Sequence, residues 1–312
     1  MLNYIEIKCL RQLISSVLIW LHDYQYDEYE ARNIRAQPIY CMQILNRKDL
    51  IMLVDIIAKG FLTLSHDTVI IPIIVLGYIW ADRKLFYHAT CILLFNMLAN
   101  VALKQTFQIP LASGVGHDYA FPSGHMQSAM TFYGWLAYKI HNTAFRIAAL
   151  AVVLGIGFGL IYFGYHNIVD VVGAVVIAIG LIVLYSRLIT LSPKTVMSVM
   201  IGTATILFVY IAFRATHMPK ASLLAYYALL GFILSEKVFD KKLSSSKTVP
   251  MKRKILASLL CFSGIAIILY GFFELQQIYK GLPLYISELQ WLAVGFMLPF
   301  SRSCRFKHRQ TH

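Results

Sequence analysis

The chain has 312 residues, of which 58% are hydrophobic and 14% are charged, whereas a soluble globular domain has about 45–50% apolar and about 25% charged residues. This composition excludes an ordinary soluble domain and predicts an all-α, polytopic helical bundle in a membrane. The net charge is +13, but no basic segment is interleaved with aromatic residues. We therefore expect membrane lipids, and no nucleic acid, as partners.

Apolar segments follow one another along most of the chain, and a spanning helix needs about 20 such residues. Residues 1–50 are predicted to be a cytoplasmic or interfacial segment. Met52–Leu64 is predicted to be an amphipathic or interfacial helix, with a true span as the alternative. Residues 51–213 are assigned to a membrane core, and residues 214–312 to appended transmembrane helices with a basic cytoplasmic loop and tail. The predicted spans are Thr68–Ala81, Leu85–Leu103, Met126–Ile140, Phe145–Tyr165, Ile168–Leu191, Thr195–Phe213, Ser222–Ser235, Ile255–Leu275 and Leu284–Phe300.

Small and polar residues inside the spans predict contacts between helices. Gly155, Gly157, Gly159 and Gly164 superficially resemble a nucleotide-binding fingerprint, but they lie within a span and not after a strand, so close helix packing is the better interpretation. Asn96 and Asn100, in the second span, are predicted to bridge helices through hydrogen bonds.

The loops between the spans alternate in charge. Because Lys and Arg accumulate in cytoplasmic loops, the basic loops are placed in the cytoplasm. The loop Gln105–Phe121 and the turn Gly164–Asn167 then share the non-cytoplasmic face. The basic positions are Arg83, Lys84, Lys139, Arg146, Arg187 and Lys194, with the loop Glu236–Lys254 and the tail after Phe300.

Two polar segments interrupt the apolar pattern at the non-cytoplasmic face. One is Phe121–His125, which precedes a span, and the other is Gly164–Asp170, which contains His166. Ionisable groups at a membrane boundary are costly unless they have partners or water, and they commonly mark function. These segments are therefore the candidate site.

The residue types in the two segments suit phosphoryl transfer. His166 and Asp170 are four residues apart, on one helical face, so the carboxylate can hold one ring nitrogen and leave the other as a nucleophile. Ser123 can cap the next helix, and the first amides of that helix, with Gly124, can bind an anion. His125 can protonate a leaving oxygen.

Two further residues belong to the same predicted pocket. Lys104 ends the preceding span at this face and supplies a positive charge, and His117 in the adjoining loop is a possible accessory group. A purely structural polar cluster is one alternative interpretation. Metal binding by the His/His/Asp set is another, but no third His or Cys has ligand-like spacing. We predict neither a metal nor a cofactor.

At these residues the sequence resembles the type-2 phosphatidic acid phosphatase family, which includes vanadium haloperoxidases and glucose-6-phosphatase. The resemblance covers about residues 60–190 and is carried by Lys104, the segment Pro122–His125, and the pair His166 and Asp170. It implies a six-helix membrane core with a metal-free site at its outer face. It also implies that His166 attacks phosphorus to form a phosphohistidine, that Asp170 orients His166, and that His125 protonates the leaving group and then activates water.

The chain departs from the family pattern where two arginines are expected. At the first position, the expected Arg-Pro pair is replaced by Leu111 and Ala112. At the second position, the expected Ser-Arg pair is replaced by Gly159 and Leu160. An arginine makes strong, charge-assisted contacts to phosphate. Losing one donor aimed at a transition state typically costs about 3–4 kcal/mol.

Three accounts fit this combination. The preferred one is a lipid phosphatase of the inner (plasma) membrane, with its site on the non-cytoplasmic face, acting on a lipid phosphate or polyprenyl (di)phosphate. Its substitute donors would be His117, Lys104 and helix amides. The second is a lipid head-group phosphotransferase that resembles sphingomyelin synthases. The third is a non-catalytic lipid-phosphate-binding or scaffold protein.

Overall fold

A computed structural model of the chain describes residues 47–111, 119–191, 195–244, 250–279 and 283–304. All regular elements in these ranges are α-helices, so the predicted all-α fold is confirmed. The helices are α1 Arg47–Thr63, α2 Asp67–Trp80, α3 Arg83–Phe107, α4 Gly124–Lys139, α5 Thr143–Tyr162, α6 Ile168–Leu191, α7 Val196–Arg214, α8 Lys220–Ser244, α9 Met251–Ile278, α10 Leu284–Ser287 and α11 Gln290–Ser303.

The helices have the lengths and composition of a multi-span membrane protein. Within the described ranges, six are long and apolar enough to cross a bilayer: α3, α5, α6, α7, α8 and α9. The consecutive helices α1 and α2 would add a seventh span if they form one broken span. The predicted polytopic membrane protein is therefore confirmed.

The last predicted span is wrong in one respect, because Leu284–Phe300 is not one helix. It is divided into α10 and α11 by a turn at Glu288 and Leu289. The Trp291 indole donates a hydrogen bond of 2.7 Å to the Glu288 carboxylate, and the Trp291 amide donates one of 3.1 Å to the Glu288 carbonyl. The backbone bond spans three residues instead of four, which is the pattern of a tight turn.

The chain divides into two compact units, Met1–Ile57 and Ala58–His312. The described part of the first unit is the beginning of α1. The second unit is a helical bundle with a continuous apolar core, in which Trp135, Phe132 and Ile156 are almost completely buried. Helix α8 packs on both α3 and α11. The C-terminal helices are therefore packed against α3, the helix that carries Lys104.

The predicted close contacts form at Gly155 and Gly159 of α5, whereas a Cβ atom at Gly164 would have no neighbour within 4 Å. A Cβ atom at Gly155 would lie 2.3 Å from the Phe61 ring, and one at Gly159 would lie 2.9 Å from Leu62 Cγ. Only glycine allows the two backbones to approach this closely. Gly159 therefore packs on the end of α1 rather than facing an open space.

A buried ionic cluster ties four helices together at one end of the bundle. Arg83 Nη2 lies 2.6 Å from Glu236 Oε1, and the Tyr78 hydroxyl donates to the other carboxylate oxygen. The Arg302 guanidinium donates to the Tyr78 carbonyl. Helices α2, α3, α8 and α11 therefore meet at the end that the loop charges assign to the cytoplasm.

Candidate active site

Helix α4 begins at Gly124, and the residue before it is held by a backbone hydrogen bond. The Ser123 amide donates a hydrogen bond of 3.2 Å to the Asp170 carbonyl, which joins the two polar segments directly. The Ser123 side chain makes no capping bond, and its hydroxyl is buried without a hydrogen-bond partner among the described residues. The prediction that the Ser123 side chain caps this helix is therefore wrong: the backbone bond to Asp170 turns the residue inward.

A buried amide network fixes the segment before α4 against α3. The Asn100 amide donates to the Pro122 carbonyl at 3.1 Å and to Gln127 Oε1 at 2.8 Å. The Gln127 amide donates in turn to Asn96 Oδ1 at 2.7 Å. A Cβ atom at Gly124 would lie 3.3 Å from Asn100 Oδ1. Asn96 and Asn100 therefore bridge helices as predicted, and glycine permits the close approach of the helix start.

The turn that carries His166 is fixed by backbone geometry. Gly164 has φ +67°, a left-handed conformation that is strained for most residues other than glycine. The amides of Tyr165 and His166 both donate to the Leu160 carbonyl, at 3.0 and 3.2 Å. The residue at position 160 therefore helps to position His166 through its backbone, whatever its side chain.

Helix α6 begins with a reciprocal pair of hydrogen bonds. The Asp170 amide donates to Asn167 Oδ1 at 2.9 Å, while the Asn167 amide donates to Asp170 Oδ2 at 3.1 Å. This is the arrangement of a capping box, with Asn and Asp in the two roles. Asp170 therefore has a structural role that sequence analysis missed, and Asn167 is the partner that orients its carboxylate.

His166 lies beside this oriented carboxylate. His166 Nδ1 is 3.5 Å from Asp170 Oδ2, which is longer than a normal hydrogen bond. The nitrogen is buried and has no hydrogen-bond partner among the described residues. The predicted His–Asp pairing is therefore present as a close contact, in which a small rotation of the ring would form the hydrogen bond.

The two segments border one cavity of about 760 Å³. Helix ends and loops from distant parts of the chain meet there. Its polar lining includes Ser65, His66, Asp67, Thr68, Asn100, Lys104, Gln105, His125, Ser128 and His166. Its apolar lining includes Leu62, Met97, Val101, Leu111, Leu160, Tyr165, Pro219 and Ala221.

The cavity lining includes four of the predicted site residues: Lys104, Gly124, His125 and His166. Ser123 and Asp170 are buried and do not border it. His117 and Ala112 lie outside the described residues.

The two leucines at the expected arginine positions both face the cavity. Leu111 is partly exposed, whereas Leu160 is only 2% exposed. Both border the space without filling it, because the cavity retains about 760 Å³. The cavity therefore has apolar walls at the two positions where sequence analysis expected guanidinium groups.

Sequence analysis missed His66 and Asp67, which border the same cavity at the start of α2. The His66 and His125 ring centroids are 5.8 Å apart. A signal was available, because His66 and Asp67 precede the first predicted span at its non-cytoplasmic end. They are remote in sequence from both polar segments and belong to neither motif.

The cavity changes the acidity of both predicted catalytic histidines, which lie outside the apolar spans. Desolvation in the cavity lowers the pKa of His166 below its ordinary value of 6.5, and Asp170 only partly offsets this effect. Desolvation also lowers the pKa of His125, and the nearby His66 lowers it further. Both rings are therefore largely neutral at neutral pH when no ligand is bound. A neutral His166 ring has the lone pair that a nucleophile needs.

Among the described residues, no group of three or more His, Cys, Asp or Glu side chains has an arrangement that could hold a metal ion. The arrangement instead combines an oriented histidine, a second histidine and Lys104 around a cavity with partly apolar walls. Such a set of groups can bind an anion and carry out nucleophilic and acid–base chemistry.

Comparison with known proteins agrees with this chemistry. Residues 84–193 match the family model described as the PAP2 superfamily. No curated protein and no solved structure gave a match. The matched segment covers α3 to α6 and includes Lys104, His125, His166 and Asp170. This segment is therefore similar to the PAP2 superfamily, that of the type-2 phosphatidic acid phosphatases.

Proposed function

We propose that this protein is a lipid phosphatase, which hydrolyses the phosphate ester of a lipid phosphate or polyprenyl (di)phosphate through a phosphohistidine. The observation that carries the proposal is that Lys104, His125 and His166 border one cavity, with Asp170 directly behind His166. The match of residues 84–193 to the PAP2 superfamily supports phosphatase-type activity on lipid phosphates.

In the first step, His166 would attack phosphorus. Its Nδ1 is buried against Asp170, which leaves Nε2 for the cavity. The Nε2 lone pair forms the N–P bond while the bond from phosphorus to the lipid oxygen breaks. The His125 imidazolium gives its proton to that oxygen, so the lipid alcohol leaves. The products are the alcohol, a phosphohistidine and neutral His125.

In the second step, water would release the phosphate. Neutral His125 takes a proton from a water molecule, whose oxygen attacks phosphorus as the N–P bond breaks. Inorganic phosphate leaves, and His166 is restored as a neutral ring. His125 regains the proton that it needs for the next cycle. The positive charge of Lys104 would stabilise the negative charge that develops on the phosphoryl oxygens.

An amphiphilic substrate is favoured by the lining of the cavity. Leu62, Met97 and Val101 provide an apolar wall next to the polar groups, as expected for a ligand with a charged head and an apolar chain. The ionic cluster of Arg83, Glu236 and Arg302 lies at the opposite end of the bundle, among the basic loops. The positive-inside rule therefore supports our proposal that the cavity faces the non-cytoplasmic side of the inner (plasma) membrane.

A specific observation favours a second candidate function. Leu111 and Leu160 both face the cavity, so the two guanidinium groups of the family pattern are missing where phosphate would bind. A site without them suits a protein that binds a lipid phosphate and does not turn it over. It also suits a phosphotransferase, in which an acceptor lipid takes the place of water in the second step.

The proposal is tested by offering the purified protein a panel of lipid phosphates and diphosphates and measuring phosphate release. We expect release by the unaltered protein and its loss in His166→Ala. The matched control is His217→Ala, because His217 is an exposed histidine that does not border the cavity. Equal release with and without His166 would refute the enzyme proposal. Head-group transfer to an added lipid acceptor, with little free phosphate, would instead indicate the phosphotransferase.

A further inference from the structure

His66 lies in the candidate site but outside the segment that matches the family. It is the N-cap residue of α2, yet its side chain makes no capping bond. Its ring instead lies beside the His125 ring. The residue is exposed toward the cavity. Its imidazole is therefore accessible to a ligand.

The position of His66 is fixed by its surroundings. The Tyr133 hydroxyl, on α4, donates a hydrogen bond of 2.8 Å to the Leu64 carbonyl. The Ser65 hydroxyl donates to the Leu62 carbonyl at 2.7 Å, and the Ile70 amide donates to the His66 carbonyl at 3.0 Å. The turn between α1 and α2 is thus attached to the same helix that carries His125.

The spacing of the two rings suits a shared anion. Their centroids are 5.8 Å apart and the ring planes are inclined by 50°, so N–H groups from both rings can reach one tetrahedral oxyanion. An imidazole keeps at least one N–H donor whether it is neutral or protonated. Asp67 also borders the cavity and would oppose an anion, whereas Lys104 supplies a positive charge and the histidine rings supply N–H donors.

We propose that His66 is a phosphate-binding residue of this site and that it takes over part of the role of the missing arginines. It acts together with His125 and Lys104 on the phosphoryl oxygens. The inference rests on the proposed function, because it assumes that the cavity receives a phosphate group. It concerns binding, however, and is therefore testable without turnover.

The test measures the affinity of the purified full-length protein for inorganic phosphate by calorimetry, in a His166→Ala background. His66→Ala should weaken binding about 10- to 100-fold, as expected for the loss of one hydrogen bond to a charged group. His66→Arg should bind at least as tightly as the histidine form, because a guanidinium suits phosphate. His217→Ala is the matched control and should leave the affinity unchanged.

Steady-state kinetics provide a second measurement. A residue with only a structural role would not raise KM while leaving kcat unchanged. With His166 intact, His66→Ala should raise KM while kcat changes little, because the contact is made in the ground state and the transition state alike. Unchanged phosphate affinity in His66→Ala would overturn the inference, even if release depends on His166. Weakened affinity without His166-dependent release would support the inference while refuting the catalytic proposal.

Discussion

The substitution Leu111→Arg tests whether a guanidinium group in the cavity increases activity. Leu111 borders the cavity and is partly exposed, so an arginine there would keep access to water and would have open space to enter. A hydrogen bond to a charged group contributes about 1.5–3 kcal/mol, which corresponds to about 10- to 100-fold in kcat/KM. We expect Leu111→Arg to raise kcat/KM for a lipid phosphate by this factor.

The assay compares phosphate release by the unaltered protein, Leu111→Arg and two controls. Ile109→Arg adds the same charge two residues away, at an exposed position that does not border the cavity. Leu111→Gln adds a polar side chain without charge. If Ile109→Arg increases kcat/KM as much as Leu111→Arg does, a general attraction for anions explains the gain. A fall or no change in folded Leu111→Arg would refute the idea that phosphate sits beside this wall.

Three further predictions follow from the structure. Attack needs neutral His166 and protonated His125, and the pKa values of both rings are lowered from 6.5. The value of kcat/KM should therefore fall when the pH drops below the pKa of His166, and also when it rises above the pKa of His125. The pH–rate profile should peak below pH 6.5, and a peak above about pH 7.5 would contradict these assignments. Glu236→Gln should lower stability by about 3–5 kcal/mol, because Arg83 loses a buried carboxylate partner; thermal unfolding in detergent measures this, and an unchanged Tm would contradict it. Asn100→Ala removes hydrogen bonds of 3.1 and 2.8 Å and should lower stability by about 2–4 kcal/mol, with a loss of kcat that activity measurements on still-folded protein would detect.

The sequence predicted the helices well where apolar runs were long. Ile168–Leu191 was predicted with the bounds that the helix has, and Ser222–Ser235 lies within a longer helix, Lys220–Ser244. The local sequence is sufficient to predict a helix there, because the run of hydrophobic residues and the helix propensity both favour one. The break in Leu284–Phe300 was not predicted, because it depends on side-chain bonding between Glu288 and Trp291.

The candidate site was predictable only where chemistry follows local spacing. His166 and Asp170 are neighbours on one helix, and their proximity followed from a separation of four residues. The orientation of Ser123 was not predictable, because it depends on a backbone bond to Asp170, which lies 47 positions away (170 − 123 = 47). The position of His66 beside His125 depends on the hydrogen bond from Tyr133 to the turn between α1 and α2, which no local pattern encodes.

The central claim is tested most directly by trapping the covalent intermediate. The protein would be mixed with a lipid phosphate labelled at phosphorus, stopped within one turnover in alkali, and digested for peptide mapping. The account predicts one label per chain, stable in alkali and lost in acid, on His166, and no label in His166→Ala. Release of phosphate without any label, or with equal labelling in His166→Ala, would contradict it.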